Sequence, residues 1–234
     1  MGGFFGAVSA NDCIQDVFFG TDYHSHLGTR RGGMTSFSPE LGFQRNIHSI
    51  ENSPFRTKFE KDVEKMRGNI CIGCISDTDP QPIMVRSTLG LYAVCSIGII
   101  QNAKALSEEL LESGCANFET MSSGNINSGG LIGALIAQKP TFVEGIRYAQ
   151  SKIEGTMSLV IMTEDSIICA RDRAGKLPIL IGKRSDGYCF SFESFAYQKL
   201  GYETCHELKA GEITCLTKDG YEVLYEGTEE MKIC

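Results

Sequence analysis

Apolar positions follow two textures along this chain. As far as residue 153, short apolar runs that read as strands trade with stretches in which apolar residues recur every three or four positions. Beyond it, strand-like runs follow one another at short intervals. The first texture predicts a strand over 4–8, a helix capped by Asn11 or Asp12 and running to about residue 26, and strands over 34–37 and 43–50. Ser53-Pro54 reads as a helix start, with Ser53 as N-cap and Pro54 at the first helical position. Phe55, Phe59, Val63 and Met66 then mark one buried face, and Gly68 is the expected stop. Strands are expected over 69–76, 83–86 and 91–95, and a helix over 103–113, with Leu106, Leu110 and Leu111 inward and Gly114 closing it. Helices over 131–138 and 142–153 flank Pro140. The second texture predicts strands over 157–162, 166–171, 179–182, 188–192 and 212–217, with Ser185-Asp186-Gly187 and Asp219-Gly220 as hairpin turns. Strands and helices thus come in blocks rather than strict alternation. That points to an α+β class, antiparallel sheets covered by helices. With no repeat, linker or low-complexity segment, the chain reads as one domain over 1–234.

Composition narrows the function classes. Net charge is −7, and the densest basic spot is the pair Arg30-Arg31, so a nucleic-acid groove is not expected. The apolar run over 89–100 is too short and interrupted to span a bilayer, so no membrane role is expected. No charged and apolar leader precedes the first strand, which suggests a cytoplasmic protein. Ten cysteines are scattered mostly singly inside strand-like segments. In that setting they read as reduced core thiols rather than a disulfide framework. Cys71 and Cys74 are the one suggestive pair, but residues three apart on a strand point to opposite faces. No second such pair exists, so neither metal nor other cofactor is expected.

A set of ordered motifs carries a resemblance. Gly3-Phe4-Phe5-Gly6, His26-Leu27-Gly28, Gly33-Met34, Ile72-Gly73, Pro80-Gln81-Pro82-Ile83 and Asn102-Ala103 come first. Ser158-Leu159-Val160-Ile161, Arg171-Asp172 with Gly175 and Pro178, Ser191-Phe192-Glu193-Ser194 with Ala196, and Gly211-Glu212-Ile213 follow. Each is weak alone; together and in this order the chain resembles the N-terminal glutaminase domain of amidophosphoribosyltransferase, a class II glutamine amidotransferase. The match runs over about the first 225 residues. It implies the four-layer αββα sandwich of the N-terminal-nucleophile (Ntn) hydrolases. It also implies a phosphoribosyltransferase-like domain as partner within a longer protein, a homo-oligomer, and a link to purine biosynthesis. The segment Met231-Lys232-Ile233-Cys234 falls near where that second domain would begin.

In the family, the first mature residue is a Cys nucleophile whose own α-amino group is the base. An Asn side chain and a Gly N–H hold the oxyanion, and an Arg and an Asp clamp the substrate's carboxylate and amine. The corresponding positions here read differently. Gly2 stands at the nucleophile position. The oxyanion segment becomes Ser96-Ile97-Gly98-Ile99, keeping Gly98 but replacing the Asn with Ile97. The clamp-Arg loop shortens to Ile75-Ser76-Asp77-Thr78-Asp79, without an Arg, and the clamp Asp falls at Ser128. Leu27 replaces the Arg of the family's His-Arg-Gly. The resemblance therefore implies a pseudoenzyme, a domain with no intact catalytic residue kept for structure or regulation. Ile97 and Ile99 would plug the former oxyanion site.

Two other readings stay open. A live enzyme of different chemistry could use Asp22, His24, His26, Arg30, Arg31, Ser76, Asp77 and Ser96, weighed against a plain helix end with dipole-favoured cations. An anion-binding module could anchor on Arg30 and Arg31, with backbone N–H groups from Gly32 and Gly33. Trimming to Cys13 would create a new N-terminal thiol, but the motifs that align from residue 3 onward argue against it.

Overall fold

The computed structural model describes residues 2–114, 124 and 126–228. Strand β1 (Gly2–Ser9) is buried along its whole length. Helix α1 (Ile14–Tyr23) follows and tightens into a 3-10 turn over His24–His26. The hairpin β2 (Arg31–Ser38) and β3 (Gly42–Ser49) leads to α2 (Phe55–Val63) and β4 (Ile70–Ser76). A second hairpin, β5 (Ile83–Ser87) and β6 (Gly90–Ile100), precedes α3 (Ala103–Glu112), α4 (Ser128–Ile136) and α5 (Phe142–Lys152). The remainder is β7 (Gly155–Met162), β8 (Ile167–Ala170), β9 (Leu180–Arg184), β10 (Gly187–Ser191), α6 (Ser194–Gln198), β11 (Glu203–Glu207), β12 (Ile213–Leu216) and β13 (Tyr221–Tyr225).

These strands form two antiparallel sheets, ordered β11-β9-β10-β1-β4-β2-β3 and β13-β12-β8-β7-β6-β5. Three apolar layers hold them together. Phe4, Val8, Ile72, Cys74, Ile97 and Phe190 fill the space between the sheets. Phe5, Ala7, Val17, Phe55, Phe59 and Cys71 pack the first sheet on α1, α2 and α6. Val94, Leu159 and Ile161 pack the second sheet against Leu106, Leu131 and Ile146 of the other three helices. Both sheets are covered on both faces, which is why the central strands read as continuous apolar runs. The result is the expected α+β, four-layer αββα arrangement. Cys71 and Cys74 sit in different layers, on opposite faces of β4. The described cysteines are all free thiols. Cys115, Cys234 and the segment over 231–234 lie outside the described residues.

Local expectations fail in instructive places. Pro54, not Ser53, is the N-cap of α2: its ψ is 150°, and its carbonyl accepts the Lys58 N–H. The helix ends at Val63 rather than Gly68; Gly68 instead donates its N–H to Asp12 and accepts from the Cys13 N–H, joining β4's entry to α1. Asp12 does receive the Ile14 N–H, although the residue flanking α1 is Cys13. Leu111 points outward, 53% exposed, because Leu106 and Leu110 already define α3's buried stripe one residue away. Strand β6 continues five residues beyond the expected end, through Ile100. Strands β11 and β13 and the short α6 were not anticipated; the two strands are sheet edges with little apolar alternation, as edge strands commonly are.

Candidate functional site

A cavity of about 390 Å³ opens where the ends of β4 and β6 meet the start of α4 and the loop after β8. Gln81 sets its back wall. Its side-chain amide donates to the Ser96 carbonyl at 3.0 Å and accepts the Ser96 N–H at 2.6 Å, so one glutamine satisfies β6 as a neighbouring strand would. That holds Ile97, Gly98, Ile99 and Ile100 along the cavity. Gly98 is required here: a Cβ would overlap the Thr156 carbonyl of the adjacent strand.

The opposite wall is the start of α4. Asn127 caps it, its Oδ1 accepting from Gly129 at 2.8 Å and Gly130 at 3.3 Å while its Nδ2 donates to the Pro80 carbonyl at 2.9 Å. Asp79, only 4% exposed, accepts the Ser128 N–H on Oδ2 at 3.1 Å. The two positions where the resemblance implied a lost substrate clamp, the 75–79 loop and Ser128, are thus bonded to each other. The rim comes from the Arg171-Asp172 motif. Asp172 accepts the Ala174 and Lys176 N–H groups at 2.9 Å, and buried Arg171 donates to the Gly175 carbonyl at 2.9 Å. This folded loop presents Lys176 and Leu177 to the cavity.

Gly2 lies just behind this wall. It pairs with Ser76, which pairs in turn with Arg31 on the next strand. A Cβ at Gly2 would overlap the Ile75 carbonyl oxygen and come within 3.0 Å of Ile97 Cδ1. Position 2 therefore has no room for a side chain in this backbone. Ile97 is buried between the sheets, whereas Ile99 is 70% exposed at the mouth, so the two do not plug the cavity together.

The sequence-predicted residues divide sharply. Ser76, Ser96, Ile97, Gly98 and Ser128 line the cavity. His24, His26, Arg30, Arg31 and Asp77 do not. His24 is fully buried, its ring bonded to the Gly20 carbonyl at 2.7 Å and facing the Ser191 hydroxyl at 3.1 Å. Burial pushes its pKa down to about 4, so it is a neutral core residue at neutral pH. His26 bonds the Tyr23 carbonyl at 2.7 Å and Glu193 at 3.1 Å. Asp22 pairs with Arg56 at 2.6 Å. Burial would raise the Asp77 carboxyl, but the Thr29 N–H, at 2.7 Å, then the chain's N-terminal amine and, least, Arg30 together hold it below its usual range. The Gly32 and Gly33 backbones sit inside ladders with both β3 and β4, which removes the N–H groups an anion site would need. Missed in the sequence were Asp79, Lys176, Leu177, Ile132, Thr156 and Met157 as lining residues. Asp79 and Lys176 lay in quoted motifs, at positions read only for what they lacked or left variable.

Known proteins bring this geometry into focus. Residues 66–198 match a family described as "Glutamine amidotransferase domain". The amidophosphoribosyltransferase of Synechocystis is 25% identical over 93% of this chain and 46% of its own length. That of Staphylococcus aureus is 30% identical over 94% of this chain and 45% of its own. The chain therefore spans about half the length of these curated relatives. Among solved structures, the Bacillus subtilis glutamine phosphoribosylpyrophosphate amidotransferase, complexed with ADP and GMP, superposes with a TM-score of 0.85 at 23% identity over 99% of this chain and 51% of that one. A class II domain protein from Silicibacter pomeroyi superposes at 0.65 with 10% identity, over 97% and 99% of the two chains. The family match over more than half of the chain, joined to the two-sheet architecture, establishes that this protein belongs to the glutamine amidotransferase domain family and carries the Ntn-hydrolase fold of the amidophosphoribosyltransferases.

Proposed function

We propose that this is a class II glutamine amidotransferase domain without glutaminase activity, serving as a structural or regulatory unit beside a phosphoribosyltransferase-like domain of the same cytoplasmic, homo-oligomeric protein. The observation that carries the reading is Gly2: the nucleophile position has no side chain, and the Ile75 carbonyl occupies the space a Cβ would need. A relative in the same fold is described as the allosteric regulatory enzyme of purine biosynthesis, which supports placing the parent protein near that pathway.

Loss of a triad-type nucleophile costs roughly a millionfold in turnover. Loss of one oxyanion donor costs about a hundred- to a thousandfold, and Ile97 offers none in place of the Asn. No described thiol is placed to substitute. Cys13 is 1% exposed at the start of α1, with its pKa raised by burial and by Asp12 and Asp16. Burial likewise raises Cys71, Cys95, Cys169 and Cys189. Purified protein incubated with glutamine should release neither ammonia nor glutamate above buffer. Release proportional to protein concentration would overturn the reading.

A further inference from the structure

We infer that the remodelled cavity binds an α-amino acid with an apolar side chain, its ammonium on Asp79 and its carboxylate on Lys176. This rests on the reading that glutamine hydrolysis has been lost, and it assigns the cavity a different ligand. Three observations carry it. The first is Asp79. It is 4% exposed, and its only hydrogen bond to the carboxylate among the described residues is the Ser128 N–H on Oδ2. Its other oxygen, Oδ1, has no hydrogen-bond partner among the described residues and is not sealed from solvent, which leaves it free to accept from a cationic donor. That carboxylate lines the cavity. The start of α4 cannot serve a ligand's carboxylate instead, since Asp79 and Asn127 already take its first three N–H groups.

The second observation is Lys176, an exposed cation on the rim with no carboxylate partner among the described residues. Ser96 stands with it as a lining group: 6% exposed, its hydroxyl has no hydrogen-bond partner among the described residues. One negative and one positive group thus border the same space. The third is the apolar part of the wall: Ile97, Ile99, Ile132, Met157 and Leu177 give the cavity a hydrocarbon surface, although hydroxyls of Ser76, Ser96 and Thr156 also border it. At about 390 Å³ the space falls within the range of small-molecule sites.

Calorimetric titration of the whole protein with L-leucine, its desamino analogue 4-methylpentanoate and L-glutamine tests this. Leucine should bind saturably, and glutamine at least tenfold more weakly. Asp79→Asn keeps an acceptor for the Ser128 N–H; it should weaken leucine tenfold or more and leave 4-methylpentanoate unchanged. Lys176→Met, at an exposed position, should weaken both. No leucine binding to the unmodified protein, or leucine binding indifferent to both substitutions, would overturn the inference. Equal binding of glutamine and leucine would overturn its apolar selectivity. Glutamine turnover, by contrast, would overturn the loss of hydrolysis itself, and ammonia release reports that separately.

Discussion

Two regions of this domain invert the usual link between functional-group density and function. The stretch from Asp22 to Arg31 carries two His, two Arg, an Asp and a Tyr, yet three of its ionisable groups are absorbed by the structure: Asp22 by Arg56, His26 by Glu193 and His24 by the core. The cavity is walled mostly by isoleucine, serine and threonine, and only Asp79 and Lys176 bring charge to it. The difference teaches that titratable groups near a helix end are readily spent on capping and ion pairs. A site is defined instead by where the backbone leaves space and which groups face it unpaired.

Four perturbations sharpen this contrast. The largest effect is expected at the cavity's back wall. Gln81→Ala leaves the Ser96 N–H and carbonyl without partners and removes buried volume, so it should cost about 3–4 kcal/mol in urea unfolding. A loss below about 1 kcal/mol would show that Gln81 does not hold β6.

Next comes His24 and its pH dependence. Its folded pKa of about 4 lies below the ordinary histidine value of 6.5, so in that window the unfolded chain binds the proton and the folded protein does not. Stability from this group is complete above about pH 6.5 and is lost as pH falls toward 4, by about 3 kcal/mol in all. Denaturant melts across that range should show the fall, and His24→Gln should flatten it. The same slope in both proteins would remove His24 as its source.

Gly2→Cys would put a thiol where the proposed reading places the lost nucleophile. Overlap with the Ile75 carbonyl should cost about 1–3 kcal/mol, and ammonia release should stay at background. Recovered turnover at unchanged stability would mean that the backbone accommodates the side chain after all. The smallest effect is expected at Arg31→Gln, half-exposed and outside the cavity: within about 0.5 kcal/mol in stability, with no change in leucine binding.

Much of the architecture was legible in the sequence because the signals were local and strong. The strand at residues 4–8 and the face of Phe55, Phe59 and Val63 needed only apolar period. The antiparallel class followed from the blockwise order of elements. Edge strands β11 and β13 were silent, since solvent on one side removes the apolar alternation that announces a strand. The site was legible by halves. Ser76, Ser96, Ile97, Gly98 and Ser128 could be placed through ordered motifs. Asp79 and Lys176 could not, because what sets them apart, a carboxylate oxygen and an ammonium without partners among the described residues, shows only in the three-dimensional arrangement. His24 misled for the converse reason, as its pairing with Ser191 spans 167 residues of chain.

The central claim is that no nucleophile faces the cavity beside Gly2. It is tested most directly by exposing the purified protein to an electrophilic glutamine analogue, a diazoketone, and recording the intact mass. The account predicts an unchanged mass and an N-terminus without a free cysteine. A single adduct, blocked by excess glutamine and mapped to any one cysteine, would contradict it.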